Sequence, residues 1–164
     1  MSHVSCEPSS ADLRRTGKSV RPAGLALSTT LTDSQWSYPA AKSNQLLSLM
    51  MPTYTFEFAG KAPRYAGLPE PRWPAGAHHL SDVAHLFNLK VLAPLDAAQT
   101  KLAAEVIARW SAFARTGNPN LPASTYWPRA TPLDRTVQSL NPAGVTRTDF
   151  ATDHQIGFWR SLHN

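Results

Sequence analysis

The residues best suited to chemistry are two adjacent imidazoles, His78 and His79, in the stretch GAHHLSDVAHLF that runs from Gly76 to Phe87. Histidine titrates near neutral pH, so a ring held on a docked turn can take a proton from a donor and return it, which is the work of a general base. A metal site is the other chemistry that histidines bring, and the chain has six: His3, His78, His79, His85, His154 and His163. Neighbouring side chains at 78 and 79 point apart on most backbones, His85 lies round the following helix, and neither H-E-x-x-H nor C-x-x-C occurs. No metal and no cofactor is therefore expected.

The imidazoles need elements to hold them. Gly76 lets the backbone turn without a Cβ penalty, and Ser81 or Asp82 is placed to cap a helix whose Val83, Leu86 and Phe87 fall on one face. Upstream, the stretch from Leu25 to Trp36 reads as a short helix, and Pro39 opens a second one carrying Ala40, Ala41, Leu46, Leu47 and Met50. The stretch from Pro52 to Ala59 is the best strand, because Tyr54, Phe56 and Phe58 alternate with Thr55 and Glu57; these aromatics are read as core. A loop rich in proline and glycine, Gly60 to Pro74, leads to the histidines. Downstream, Asp96 and Gln99 form a capping box, Leu102, Val106, Trp110 and Phe113 make an apolar stripe, and Gly117 supplies a left-handed stop. A short strand is expected from Thr136 to Leu140.

Several of these segments resemble the type-B carboxylesterases, the bacterial relatives of cholinesterases. That family's histidine block reads roughly G-A-x-H-G-x-D/E-L-x-Y-x-F. His79 falls on its histidine, Asp82 on its acidic position and Phe87 on its last aromatic, while Leu80 replaces the glycine after the histidine. Thr32, Asp33, Trp36 and Pro39 match a T-D-x-x-F-x-C-P-like segment. The run from Trp110 to Asn120 resembles W-x-x-F-A-x-T-G-x-P-N, and Trp127-Pro128 and the piece from Asp149 to Trp159 follow in family order. The resemblance covers Leu27 to Leu162 and implies an α/β class, as a C-terminal fragment of an α/β-hydrolase fold made mostly of helices with a few short strands. It makes His79 the general base of a serine esterase, acting on a carboxylic ester once an N-terminal portion completes the site. Asp82 is read as a helix N-terminal charge rather than a triad acid.

Serine hydrolases of this fold run serine, then acid, then histidine, with the serine on a G-x-S-x-G elbow and an oxyanion loop earlier. No G-x-S-x-G occurs in the 164 residues, and the family's acid would fall before Met1. The expectation is a truncated ester hydrolase, inactive alone; the alternative is a non-catalytic α/β-hydrolase-like interaction module. Apolar faces meant for a central sheet would be left open, favouring self-association.

Composition agrees with one domain, since 42% of residues are apolar and 16% charged, and fourteen prolines with eight glycines imply many turns. Residues 1–24 are polar and aperiodic and read as a poorly anchored tail, with the carboxylesterase portion at 25–164. The formal charge of +5 is spread over scattered lysines and arginines without a basic stripe or aromatic platform, so no nucleic-acid partner is expected. Gly17-Lys18-Ser19 has the form of a phosphate-loop end, but Asp12 stands where the first glycine belongs and Pro22 is expected to block the following helix. The single Cys6 excludes an internal disulfide. No apolar run of about 20 residues spans a membrane. Charges break any signal-peptide core before Arg21, and localisation stays open.

Overall fold

The computed structural model describes residues 22–69 and 76–163; the expected tail up to Arg21 and the loop positions 70–75 lie outside them. Helix α1 spans Pro22–Thr32, so helix already takes in residues 22–24, which composition assigned to the tail. Pro22 starts this helix rather than blocking it, because the first helical position has no use for the amide hydrogen that proline lacks. Rejection of the phosphate loop then rests on Asp12.

Two separate helices were expected between Leu25 and Met50, and the chain forms one continuous helical run instead. A π-helical segment, Asp33–Ser37, joins α1 to α2, Tyr38–Met50, and Tyr38 donates its amide to the Asp33 carbonyl across the wide turn. Pro39 explains the wide turn, since inside a regular α-helix its ring would clash with the carbonyl four residues back and leave that carbonyl unbonded. The extra residue in the turn carries the chain past the proline unbroken. It also turns both Asp33 and Ser37 into the interior.

Strand β1, Phe56–Phe58, pairs in parallel with β2, Val137–Asn141, which forms an antiparallel hairpin with β3, Gly144–Thr148. The β3 half of that hairpin escaped the sequence reading; Asn141 Oδ1 accepts the Ala143 amide and so shapes the turn. Between β1 and β2 lie α3, Val83–Leu86, and α4, Ala97–Thr116, and the chain ends in α5, Phe150–Asp153, and α6, Ile156–Ser161.

The sheet is covered on both faces. On one, Phe56, Phe58 and Leu140 pack with Leu102 and Val106 of α4 and with Trp127, whose indole N–H donates to the Thr55 carbonyl at 3.0 Å. On the other, Val137 packs with Phe150 and Ile156, and Tyr38, Ala40 and Ala41 of α2 close over them. Residues of alternate parity on β1 and β2 therefore face different helix layers, which is why Glu57 and its register partner Ser139 are buried although they lie opposite the aromatics. The capping box of α4 forms as expected, with Gln99 N–H to Asp96 Oδ1 at 2.8 Å, Asp96 N–H to Gln99 Oε1 at 3.0 Å, and Gly117 at φ 70°. Arg109, fully buried on α4, ties the helix to the following loop by donating to Glu105 and to the carbonyls of Pro119 and Thr125.

Candidate functional site

The histidine turn is built from local bonds. Gly76 takes φ 55° as the turn requires, and Leu80, at the position where a glycine was expected, also lies in the left-handed region at φ 72°. The Ser81 amide donates to the His78 carbonyl at 2.9 Å, and the His78 amide donates to Ser81 Oγ at 2.8 Å. That hydroxyl is thereby engaged in the turn, and neither it nor Asp82 caps α3 by a side-chain bond, contrary to expectation.

His78 and His79 are exposed. The His78 ring donates from Nδ1 to the His79 carbonyl at 2.9 Å, while among the described residues the His79 ring makes no hydrogen bond or ion pair. A free imidazole on a bonded turn can exchange a proton with any group brought against it.

The expected apolar face of the next helix differs from the one observed. Helix α3 is a single turn that stops at Leu86 because Phe87 is extended, and Phe87 is 63% exposed. Ala84 and His85 are its buried residues, and of the expected face Leu86 packs half-buried against the core. His85 is 2% exposed, donates from Nδ1 to the Ser81 carbonyl at 3.0 Å, and packs edge-on against Phe58. Burial lowers its pKa below 6.5 against smaller raising effects of the Ser81 bond, Asp82 and Asp96. With the ring proton on Nδ1, Nε2 has no partner among the described residues. Beside this turn, a cavity of about 520 Å³ is lined by Pro63, Ala84, His85, Leu92, Pro94 and Ile107 among others, and His79 is not among its walls.

A second polar group was not anticipated from the sequence. His154, between α5 and α6, is 3% exposed, with Nδ1 at 2.6 Å from Asp33 Oδ1 and 3.1 Å from Ser37 Oγ. Its Nε2 lies 3.4 Å from Glu57 Oε2, and Ser139 Oγ donates to Glu57 Oε1 at 3.3 Å. The residue types are those of a nucleophilic triad, yet the geometry opposes one. An activated serine needs the bare ring nitrogen while the acid holds the other; here Asp33 and Ser37 share Nδ1, and the carboxylate demands its proton. Ser37 is also fully buried. The carboxylates lie on opposite sides of the ring, so they do not converge on a common ion, and among the described residues no His, Cys, Asp and Glu group of metal-binding form occurs. The cluster clamps the π turn, β1 and the C-terminal helices together. Its only trace in the sequence was a charged residue within an aromatic strand and the Thr32-Asp33 pair.

Residues 11–159 match the carboxylesterase family. The chain belongs to that family. The family implies an α/β-hydrolase fold, in keeping with the mixed sheet and its helical layers. The chain is 30% identical over 115 residues to carboxylesterase 4A of Bos taurus, a match that covers 68% of this chain and 20% of that protein. The chain thus spans about a fifth of the relative's length. Among the described residues, no helix is long and apolar enough to cross a membrane.

Proposed function

We propose that this chain is the C-terminal part of a carboxylic ester hydrolase in which His79 is the general base. The observation that carries the reading is the His79 ring itself, exposed on an internally bonded turn with no side-chain partner among the described residues, in a chain of the carboxylesterase family. The nucleophilic serine, its oxyanion donors and the acid that orients His79 belong to residues outside these 164. In the assembled site His79 takes the serine proton as the hydroxyl attacks the ester carbonyl, then delivers it to the departing alcohol; water, deprotonated by the same ring, hydrolyses the acyl-enzyme.

The experiment supplies the missing part. The purified chain alone turns over an activated aryl ester no faster than free imidazole, because a base without nucleophile or oxyanion donors retains little acceleration. Combined with the N-terminal portion of a carboxylesterase, it gains activity that His79→Ala abolishes and His78→Ala does not. Activity that survives His79→Ala and is lost in His78→Ala would move the base by one residue.

A non-catalytic interaction module is the second reading, favoured by the exposed Trp36, Leu46, Leu49 and Met50 along the π segment and α2. Catalysis that depends on His79 would dismiss it.

A further inference from the structure

We propose that Ser81 and His85 are positioning residues that lock the His79 turn to the core, a role that rests on His79 being the base. Ser81 is fully buried and engages the turn at three atoms. Its amide donates to the His78 carbonyl, its Oγ accepts the His78 amide, and its carbonyl accepts His85 Nδ1–H. His85 in turn presses edge-on against Phe58, with ring centroids 4.9 Å apart, and Phe58 is fully buried in β1. A continuous path of packed and bonded groups therefore runs from the sheet to the backbone just before His79.

The backbone just after His79 shows why such a lock is needed. Leu80 holds φ 72°, a conformation that is unfavourable for a residue with a β-carbon and persists only where surrounding contacts impose it. The Ser81 and His78 bonds, with Val83 N–H to the Leu80 carbonyl at 3.1 Å, supply those contacts. Among the described residues the buried Nε2 of His85 has no partner, a cost that a merely space-filling residue would not carry. A carbonyl accepts but never donates, so the lock fixes the His85 tautomer as Nδ1–H.

The tautomer is measured first, on the unaltered chain, by nitrogen NMR of labelled histidine. A bare Nε2 and a protonated Nδ1 are expected, and a protonated Nε2 overturns the lock. Amide exchange follows: Ser81→Ala and His85→Phe should each speed exchange at the His78 or Ser81 amides by about fivefold or more, with α4 amides unchanged. His85→Asn, whose amide N–H stands in for Nδ1–H, should keep them slow. Unchanged exchange in Ser81→Ala and His85→Phe also overturns the proposal. In the completed esterase, both variants should lower kcat about tenfold with KM within about twofold, and His85→Asn should recover kcat. If His79→Ala leaves that enzyme active, the base assignment falls while tautomer and exchange still decide the lock. If His79→Ala abolishes activity and full kcat remains in Ser81→Ala and His85→Phe, the positioning role falls alone.

Discussion

Replacing His154 with alanine tests whether the buried cluster is a clamp. The variant leaves the Asp33 carboxylate, 2% exposed, without the ring nitrogen now 2.6 Å away, and removes the contact of Glu57, 6% exposed, as well. Removing the hydrogen-bond partner of a buried carboxylate costs about 3–5 kcal/mol, because the carboxylate stays desolvated without that compensation. The ring also packs on Phe150 with centroids 4.3 Å apart, so truncation loses apolar contact in the same layer. With a urea m-value of about 2 kcal/mol per molar, a loss near 4 kcal/mol lowers the unfolding midpoint by about 2 M. Tryptophan fluorescence reports it, since Trp127 is buried in the opposite layer and senses whether the sheet survives. His79→Ala is the control, expected within about 0.5 kcal/mol because that ring is exposed and makes no bond among the described residues. A cycle with Asp33→Asn should show coupling of about 1–3 kcal/mol. A His154→Ala midpoint indistinguishable from that of His79→Ala would refute the clamp.

Three further outcomes are expected. Leu80→Gly relieves the left-handed φ of 72° at the loss of a side chain 55% exposed, and should raise stability by about 0.5–1 kcal/mol in thermal melts; a lower melting temperature would show that the turn is not strained. His85 has a folded pKa below 6.5, so the folded chain binds fewer protons than the unfolded one as pH falls through that value. Its contribution is therefore fully present above the unfolded pKa and declines below it until the folded pKa is reached; urea midpoints should fall between about pH 7.5 and about pH 5.5, by less in His85→Phe. Equal declines in the two proteins would contradict the assignment. Asp96→Ala removes the side-chain half of the α4 capping box, the acceptor of the Gln99 amide, and should cost about 1 kcal/mol by urea titration, with no change expected if that bond were idle.

The features legible in the sequence are those whose causes act within a few residues. The capping box at Asp96 and Gln99, the stop at Gly117, the α4 stripe and the turn at Gly76 all arise from contacts at most about four positions apart, and a linear pattern carries them completely. His79 stood out by family pattern for the same reason, since the motif around it is contiguous. The π turn was a partial reading: Pro39 signalled a break, but whether the helix ends there or widens depends on whether Asp33 and Ser37 have an interior to enter.

Tertiary structure alone decided the rest. Asp33 and His154 are 121 positions apart and Glu57 and His154 are 97, so only the folding of two helix layers onto one sheet brings these side chains together. The period of two placed Glu57 opposite the aromatics without saying that the second face would also be covered. Likewise, helical spacing put Phe87 on one face with Val83 and Leu86; Leu86 does pack against the core, whereas the end of α3 after a single turn and the fit of His85 against Phe58 turned Phe87 to solvent. Periodicity states which residues share a face; which face is buried depends on the partners that arrive from elsewhere in the chain.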